Sequence, residues 1–290
     1  MPELPEVQTI VSDLNRKVKG QIIVNFWTDW PKLIKTSSPS VFTNKIKGLR
    51  IEKINRIGKN ILFSLSKDNT LLIHQKMTGH LMVGNWDVRK RKALATQDGP
   101  FKDRVNQYIH AIFYLNNGKM IALSDMRKFA RIAFGKTEEI FKLKDITSLG
   151  PDALDPKLTI GEFSRRVRSR KKSIKLTLMD PSVIAGIGNI YADDILWSAK
   201  IHPLRTADTI KDEELQKIFI EVKNILRKAV RLRGSSVGDY RDTAGEKGMY
   251  GRVILAYRRT GEPCKRCKAP ICRTRTGQRS AHFCPKCQKL

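Results

Sequence analysis

The chain has 290 residues and carries 56 Lys and Arg against 28 Asp and Glu, a formal net charge of +28. Its 40% hydrophobic content argues against wholesale disorder, and the length points to two ordinary domains with small appendages. Such a positive excess favours a polyanionic partner, nucleic acid ahead of an acidic membrane surface, and the lack of any run of about 18 apolar residues excludes a transmembrane helix.

Glu3 and Glu6 stand where a secretory leader would be basic, and all five cysteines lie between positions 264 and 287. Disulfide-stapled secreted domains distribute cysteine differently, so a cytoplasmic, reducing location is expected. After Pro5 the apolar residues Val7, Ile10, Val11, Leu14 and Val18 recur at helical spacing, which predicts a helix stopped by Gly20. From about 21 to 135 the texture is β-rich, with runs at Ile22-Val24-Phe26, Ile61-Leu62-Phe63, Leu71-Leu72-Ile73 and His110 to Leu115. Asn116-Asn117-Gly118 between two such runs is a hairpin signal. This alternation of short strands with one long helix predicts a sheet sandwich with a helix attached. Residues 86 to 106 are polar and charged and are expected to form a long surface loop.

A boundary is expected near 136 to 150, because beyond Leu149-Gly150-Pro151 the pattern turns helical. Leu215, Ile218, Phe219, Val222, Ile225, Leu226 and Val230 mark one amphipathic helix, with Gly234 as its stop. A Gly-rich polar loop at 234 to 251 then leads to a short strand and the cysteines.

Cys264-x2-Cys267, sixteen intervening residues and Cys284-x2-Cys287 supply four thiolates at the spacing of a tetrahedral structural zinc site. So small a segment has too little core to fold alone, and metal binding supplies its stability. Cys272 has no partner knuckle and His282 is not needed as a ligand; four unligated cysteines are the bland alternative. The intervening hairpin carries Arg273, Arg275 and Arg279, guanidinium groups suited to phosphates but also compatible with a solvated face. A basic run, Arg165 to Lys175, precedes Ile184-Ala185-Gly186-Ile187-Gly188-Asn189-Ile190-Tyr191-Ala192, where glycines permit a close turn whose amides can hold a phosphate. These features support a zinc-containing nucleic-acid binder; charge and spacing do not decide whether it is an enzyme.

Pro2-Glu3-Leu4-Pro5-Glu6-Val7, Gly186-x-Gly188-Asn189-Ile190-Tyr191-Ala192 and the terminal cysteine hairpin occur in that order, joined by Gly58-Lys59, Met77-Thr78-Gly79, Asp125-x-Arg127-Lys128-Phe129 and Leu149-Gly150-Pro151. The combination resembles the bacterial formamidopyrimidine-DNA glycosylase family, whose members excise oxidised purines such as 8-oxoguanine, and it runs from residue 2 to about 288. The resemblance implies an α+β fold: an N-terminal β-sandwich with an N-terminal helix, then a helical helix–two-turn–helix domain with a C-terminal β-hairpin zinc finger. The implied limits are 1–140 for the catalytic domain, 150–251 for the helical DNA-binding domain and 252–290 for the zinc finger.

By that likeness Pro2, freed by removal of Met1, is the nucleophile that forms a Schiff base, and Glu3 beside it is the general acid/base. Lys59 matches a phosphate-contacting lysine that assists elimination, and Arg279 the hairpin arginine at the lesion phosphate; Glu6 orients the site. Met77, Arg127 and Phe129 match the trio that fills the stack when a base is flipped out. Tyr108 stands where many members carry a DNA-contacting His, His110 two residues on does match, and Lys171 and Asn189 match backbone-phosphate contacts. Gln75-Lys76 stands before Met77 where the family usually has Leu-Gly. One structural zinc, double-stranded damaged DNA as partner and a monomeric state are implied. Two other readings are an endonuclease VIII-like glycosylase for oxidised pyrimidines, against which Leu4 speaks, and a non-catalytic zinc-dependent DNA-binding protein on the same scaffold, against which Pro2, Glu3 and Lys59 speak.

Overall fold

The computed structural model describes residues 1–89 and 92–290, which form two compact units. The first unit comprises Met1–Thr147 and Leu232–Gly251; the second comprises Ser148–Arg231 and Arg252–Leu290.

In the first unit helix α1 spans Leu4–Val18, with Pro5 in its opening turn and Arg16 and Lys17 in its last. The Glu6 carboxylate reaches back to accept the Glu3 N–H at 2.8 Å, so the first turn is closed by its own acid. Val7, Ile10, Leu14 and Val18 are buried, as the spacing predicts. Strand β1 (Ile23–Thr28) leads to helix α2 (Pro39–Ile46), and strands β2 (Ile51–Ile57), β3 (Asn60–Leu65), β4 (Asn69–His74), β5 (His80–Gly84), β6 (Trp86–Arg89), β7 (Lys92–Ala95), β8 (Ile109–Leu115), β9 (Met120–Ser124) and β10 (Arg131–Lys136) follow. Two short helices, α3 (Thr137–Phe141) and α4 (Lys144–Thr147), complete this part of the chain.

Two antiparallel four-stranded sheets result, ordered β1-β8-β9-β5 and β10-β4-β3-β2. Their apolar faces share one core with α1, and Phe42 of α2 lies edge-on to Phe26 and Phe134, one ring from each sheet, at 4.7 and 5.7 Å. The sandwich with its attached helix therefore stands as expected.

One local expectation is refined and one corrected. The run Ile22-Val24-Phe26 leads into β1, but the register shifts between Ile23 and Asn25, so that Ile23 and Phe26 are buried and Val24 is exposed. Residues 86–106 are not a plain loop: β6 and β7 pair with each other, and two 3₁₀ turns, Gly99–Lys102 and Arg104–Asn106, follow. Trp86 and Ala93 pack there on Met82, Ile109 and Ile112, with Phe101 edge-on to Trp86 at 5.7 Å. The apolar alternation is hidden by the surrounding charges; Lys90 and Arg91 within this stretch lie outside the described residues.

The second unit holds helices α5 (Ile160–Arg168), α6 (Ile174–Leu178), α7 (Asn189–Ala199) and α8 (Asp212–Arg231), and the hairpin of β11 (Cys272–Thr276) and β12 (Arg279–Phe283). Thr159 and Ser173 cap α5 and α6. Lys175, part of the basic run, is fully buried rather than solvated: its Nζ bonds Asp193 Oδ1 at 2.6 Å and the Ser280 carbonyl, while Asp193 Oδ2 accepts the His282 N–H and pairs with its ring. Asp194 accepts backbone N–H groups of Leu255, Ala256 and Tyr257. Adjacent acids on α7 thus anchor both the hairpin and the segment before it. Residues 232–251 pack within the first unit, held there by hydrogen bonds to α1. No helix among the described residues is long and apolar enough to cross a membrane.

Candidate active site

In the first unit the chemistry gathers at the start of α1. Pro2, Glu3 and Glu6 are buried, and Lys59 lies half-buried beside Gly58 in the turn between β2 and β3. Burial holds the Met1 amine, one residue before Pro2, below its ordinary range; Lys59 pushes the same way, and Glu3, Glu6 and Asp239 oppose it. One amine therefore feels both acids, the lysine and a residue of the 232–251 segment. Glu6 Oε1 also accepts the Ser235 N–H at 2.7 Å. One carboxylate thereby bonds the backbone of Glu3 and that of Ser235. Such a cluster offers a desolvated amine, a carboxylate and a cation, the parts needed for imine formation and proton transfer.

Met77, Arg127 and Phe129 project from two neighbouring loops and are all exposed. The Arg127 guanidinium lies over the Phe129 ring at 4.5 Å. Asp125, fully buried, sets both loops: it accepts the Phe129 and Ala130 N–H groups at 2.7 Å each, the Arg127 N–H at 3.3 Å and the Thr78 hydroxyl. An exposed apolar side chain and an exposed aromatic ring cost free energy in water unless something covers them, which suits a wedge better than a core residue. Lys76 turns its charge toward Asp145, 3.9 Å away, and Gln75 is buried with neither amide atom hydrogen-bonded among the described residues.

Tyr108 is half-buried and its carbonyl accepts the Asp125 N–H at 2.8 Å. His110 pairs with Asp29, Nδ1 to Oδ1 at 2.8 Å, and only about a tenth of its side chain is exposed (11%). Its ring is engaged within the protein, unlike the exposed Arg127 and Phe129.

In the second unit Gly186 takes φ +113°, a value only glycine adopts readily, and the chain then enters α7 at Asn189. Asn189 Oδ1 is buried with no hydrogen-bond partner among the described residues. Lys171 is exposed; Arg279 is exposed at the β11–β12 turn, whereas Arg273 is bonded to Ser280 Oγ at 2.8 Å. The Sγ atoms of Cys264, Cys267, Cys284 and Cys287 all lie within 4.8 Å of one another, close to the separation of about 3.8 Å that four zinc–sulfur bonds of ~2.3 Å impose. Cys272 faces the Pro270 carbonyl instead, and His282 is taken by Asp193. The four-thiolate site fits one structural zinc ion.

Sequence reasoning missed Asp13, Arg233 and Asp242. Arg233 lies between the two carboxylates, and they are 220 residues and 9 residues away along the chain. No local pattern signals that pairing.

Three stretches of the chain match family models: residues 1–132 the formamidopyrimidine-DNA glycosylase N-terminal domain, 149–241 the formamidopyrimidine-DNA glycosylase H2TH domain, and 261–290 a zinc finger found in FPG and IleRS. A formamidopyrimidine-DNA glycosylase of Herpetosiphon aurantiacus is 37% identical over 99% of this chain and 100% of its own length. Lactococcus lactis Fpg bound to DNA containing Fapy-dG superposes with a TM-score of 0.86 at 27% identity, covering 99% of this chain and 100% of that one. The same enzyme bound to DNA with an oxidised pyrimidine gives 0.86 at 28% identity, with both chains fully covered.

Proposed function

Because the chain belongs to the formamidopyrimidine-DNA glycosylase family, and is thus a DNA glycosylase of base excision repair, we propose that it removes oxidised purines from duplex DNA and then cleaves the strand through an imine at Pro2. The observation that carries this reading is the clustering of buried Pro2, Glu3 and Glu6 with Lys59 at the start of α1, where the Met1 amine feels both acids and the lysine.

With Met1 removed, the Pro2 nitrogen attacks C1′ of the damaged nucleotide. The glycosidic bond breaks, the base leaves with the bonding pair, and Glu3 supplies the proton needed for base loss and sugar-ring opening. The nitrogen–carbon bond becomes an iminium, which acidifies the adjacent C2′–H; its removal expels the 3′ phosphate, and a second elimination expels the 5′ phosphate. Lys59 stands as the cation for a developing phosphate charge, and Arg279 as a second one from the hairpin. Met77, Arg127 and Phe129 fill the stack, at a flipping cost of about a few kcal/mol. Lys171 and Asn189 serve the phosphate backbone, and Tyr108 and His110 stand as DNA contacts, His110 with its ring held by Asp29. The protein acts in the cytoplasm, as a monomer on double-stranded DNA.

Borohydride trapping on a duplex with 8-oxoguanine opposite cytosine, followed by mass mapping, tests the reading. An adduct at Pro2 is expected; none, from zinc-loaded protein beginning at Pro2, overturns it. Since the Lactococcus lactis relative was also solved with an oxidised pyrimidine, a thymine-glycol duplex belongs in the same assay, and a clear preference for it transfers the chain to the pyrimidine-directed reading.

A further inference from the structure

Arg233 follows α8 with φ +60°, a left-handed conformation uncommon for a non-glycine residue. Its guanidinium is held by two carboxylates. Nε and Nη2 donate to Asp242 Oδ2 at 2.9 and 2.6 Å, Nη1 donates to Asp13 Oδ1 at 3.3 Å, and Nη2 also reaches Asp13 Oδ2. The two carboxylates are 2% and 4% exposed. Thr243 Oγ1 donates to Asp13 at 3.0 Å, and Asp242 Oδ1 accepts the Ala244 and Glu246 N–H groups at 2.8 and 3.0 Å. One cation therefore joins the middle of α1 to both ends of the turn 233–246.

The next residues meet the catalytic end of the same helix. A Cβ on Gly234 would stand 2.7 Å from Glu6 Oε1, so only glycine lets Ser235 donate to that oxygen. Tyr240 is buried with its hydroxyl 3.4 Å from the Glu6 carbonyl, and Asp239 is felt by the terminal amine. The segment thus packs against Glu6, the carboxylate that also bonds the Glu3 N–H beside Pro2, the residue that must meet C1′ in the proposed reaction.

We infer that Asp13, Arg233 and Asp242 form a latch that seats the 234–246 segment against the start of α1 before DNA arrives, so that Asp13 and Arg233 are positioning residues for base excision. The inference rests on the reaction proposed above. A preformed wall removes the ordering cost of holding a base there. An abasic sugar has no base to hold, so its cleavage depends on the amine and Lys59 and little on the latch.

The experiment compares the full-length protein with Arg233→Ala, Asp13→Asn and the triple variant Asp13→Asn/Arg233→Gln/Asp242→Asn, in which no charge of the latch is left buried alone. Hydrogen exchange without DNA reads the latch, and single-turnover excision of 8-oxoguanine beside cleavage of a preformed abasic duplex reads its consequence. Faster exchange of the Ser235 to Tyr240 amides is expected in all three variants, with excision slowed about tenfold or more and abasic-site cleavage changed by less than about twofold. Unchanged exchange overturns the latch, and so does a parallel fall of both activities. Should the unaltered protein excise nothing, the proposed reaction fails while the exchange comparison still decides the latch.

Discussion

Asp125 Oδ2 accepts the Phe129 N–H at 2.7 Å, so an exposed ring is aimed by a fully buried carboxylate. The same carboxylate takes the N–H groups of Arg127 and Ala130 and the Thr78 hydroxyl next to Met77. Asp125→Ala leaves these donors unpaired, at about 1–3 kcal/mol for each one that stays buried. Binding of a damaged duplex, followed by fluorescence anisotropy, is expected to fall at least as far as in Phe129→Ala, although Asp125 itself is out of reach of DNA. Binding equal to that of the unaltered protein removes Asp125 from this role.

Glu3→Gln preserves the shape of the first turn and removes the proposed proton donor. Binding of an 8-oxoguanine duplex is expected to persist while excision slows by about 10²–10⁴-fold, the span of general acid–base catalysis. Single-turnover rates near normal end the assignment of Glu3.

Burial disfavours the ammonium form of the terminal amine, and Lys59 acts in the same direction. A group shifted this way is neutral, and nucleophilic, at lower pH than an ordinary amine. Pro2 inherits those surroundings once Met1 is gone. The rising limb of the pH profile for borohydride trapping should therefore lie below that of a free proline amide. Removing the nearby cation in Lys59→Met raises the amine's pKa and moves the limb to higher pH; a limb that stays put or moves down contradicts the electrostatic role of Lys59.

The parts legible in the sequence are those with local signatures. Helix α1 follows from its apolar spacing, the first-turn acid and Gly20; the zinc knuckles follow from their CxxC pairs, and the β8–β9 turn from Asn116-Asn117-Gly118. What escaped is set by partners far along the chain. Asp29 engages His110 across 81 positions, and Asp193 with Ser280 takes Lys175 out of its basic run. Composition made 86–106 look like a loop because the charges alternate with the buried Trp86 and Ala93. The exposed Met77 and Phe129 were legible only through family likeness, since apolar residues at such positions are ordinarily core.

Lys175 and Asp193 are both fully buried, and their ion pair also gathers His282 and Ser280. Asp193→Ala leaves a lone buried ammonium, a change that typically costs about 3–5 kcal/mol. Thermal unfolding should show that loss, and Asp193→Ala with Lys175→Met, which removes the stranded charge, should recover much of it. A single variant that melts like the parent shows that water reaches Lys175.

The hairpin is held from two directions, by Asp193 at its second strand and by four thiolates at its knuckles. Removing zinc abolishes only the second restraint. The buried core shared by the two sheets and α1 contains none of the knuckle cysteines and keeps its packing. Arg279, the proposed phosphate contact, stands at the turn of the hairpin and loses its fixed place. Chelation is therefore expected to abolish binding of a damaged duplex at temperatures where the sandwich is still folded, with zinc release followed by a colorimetric chelator and folding by circular dichroism. Lesion binding that survives verified zinc loss places the grip on DNA elsewhere, and loss of both signals together makes zinc a support of the whole chain.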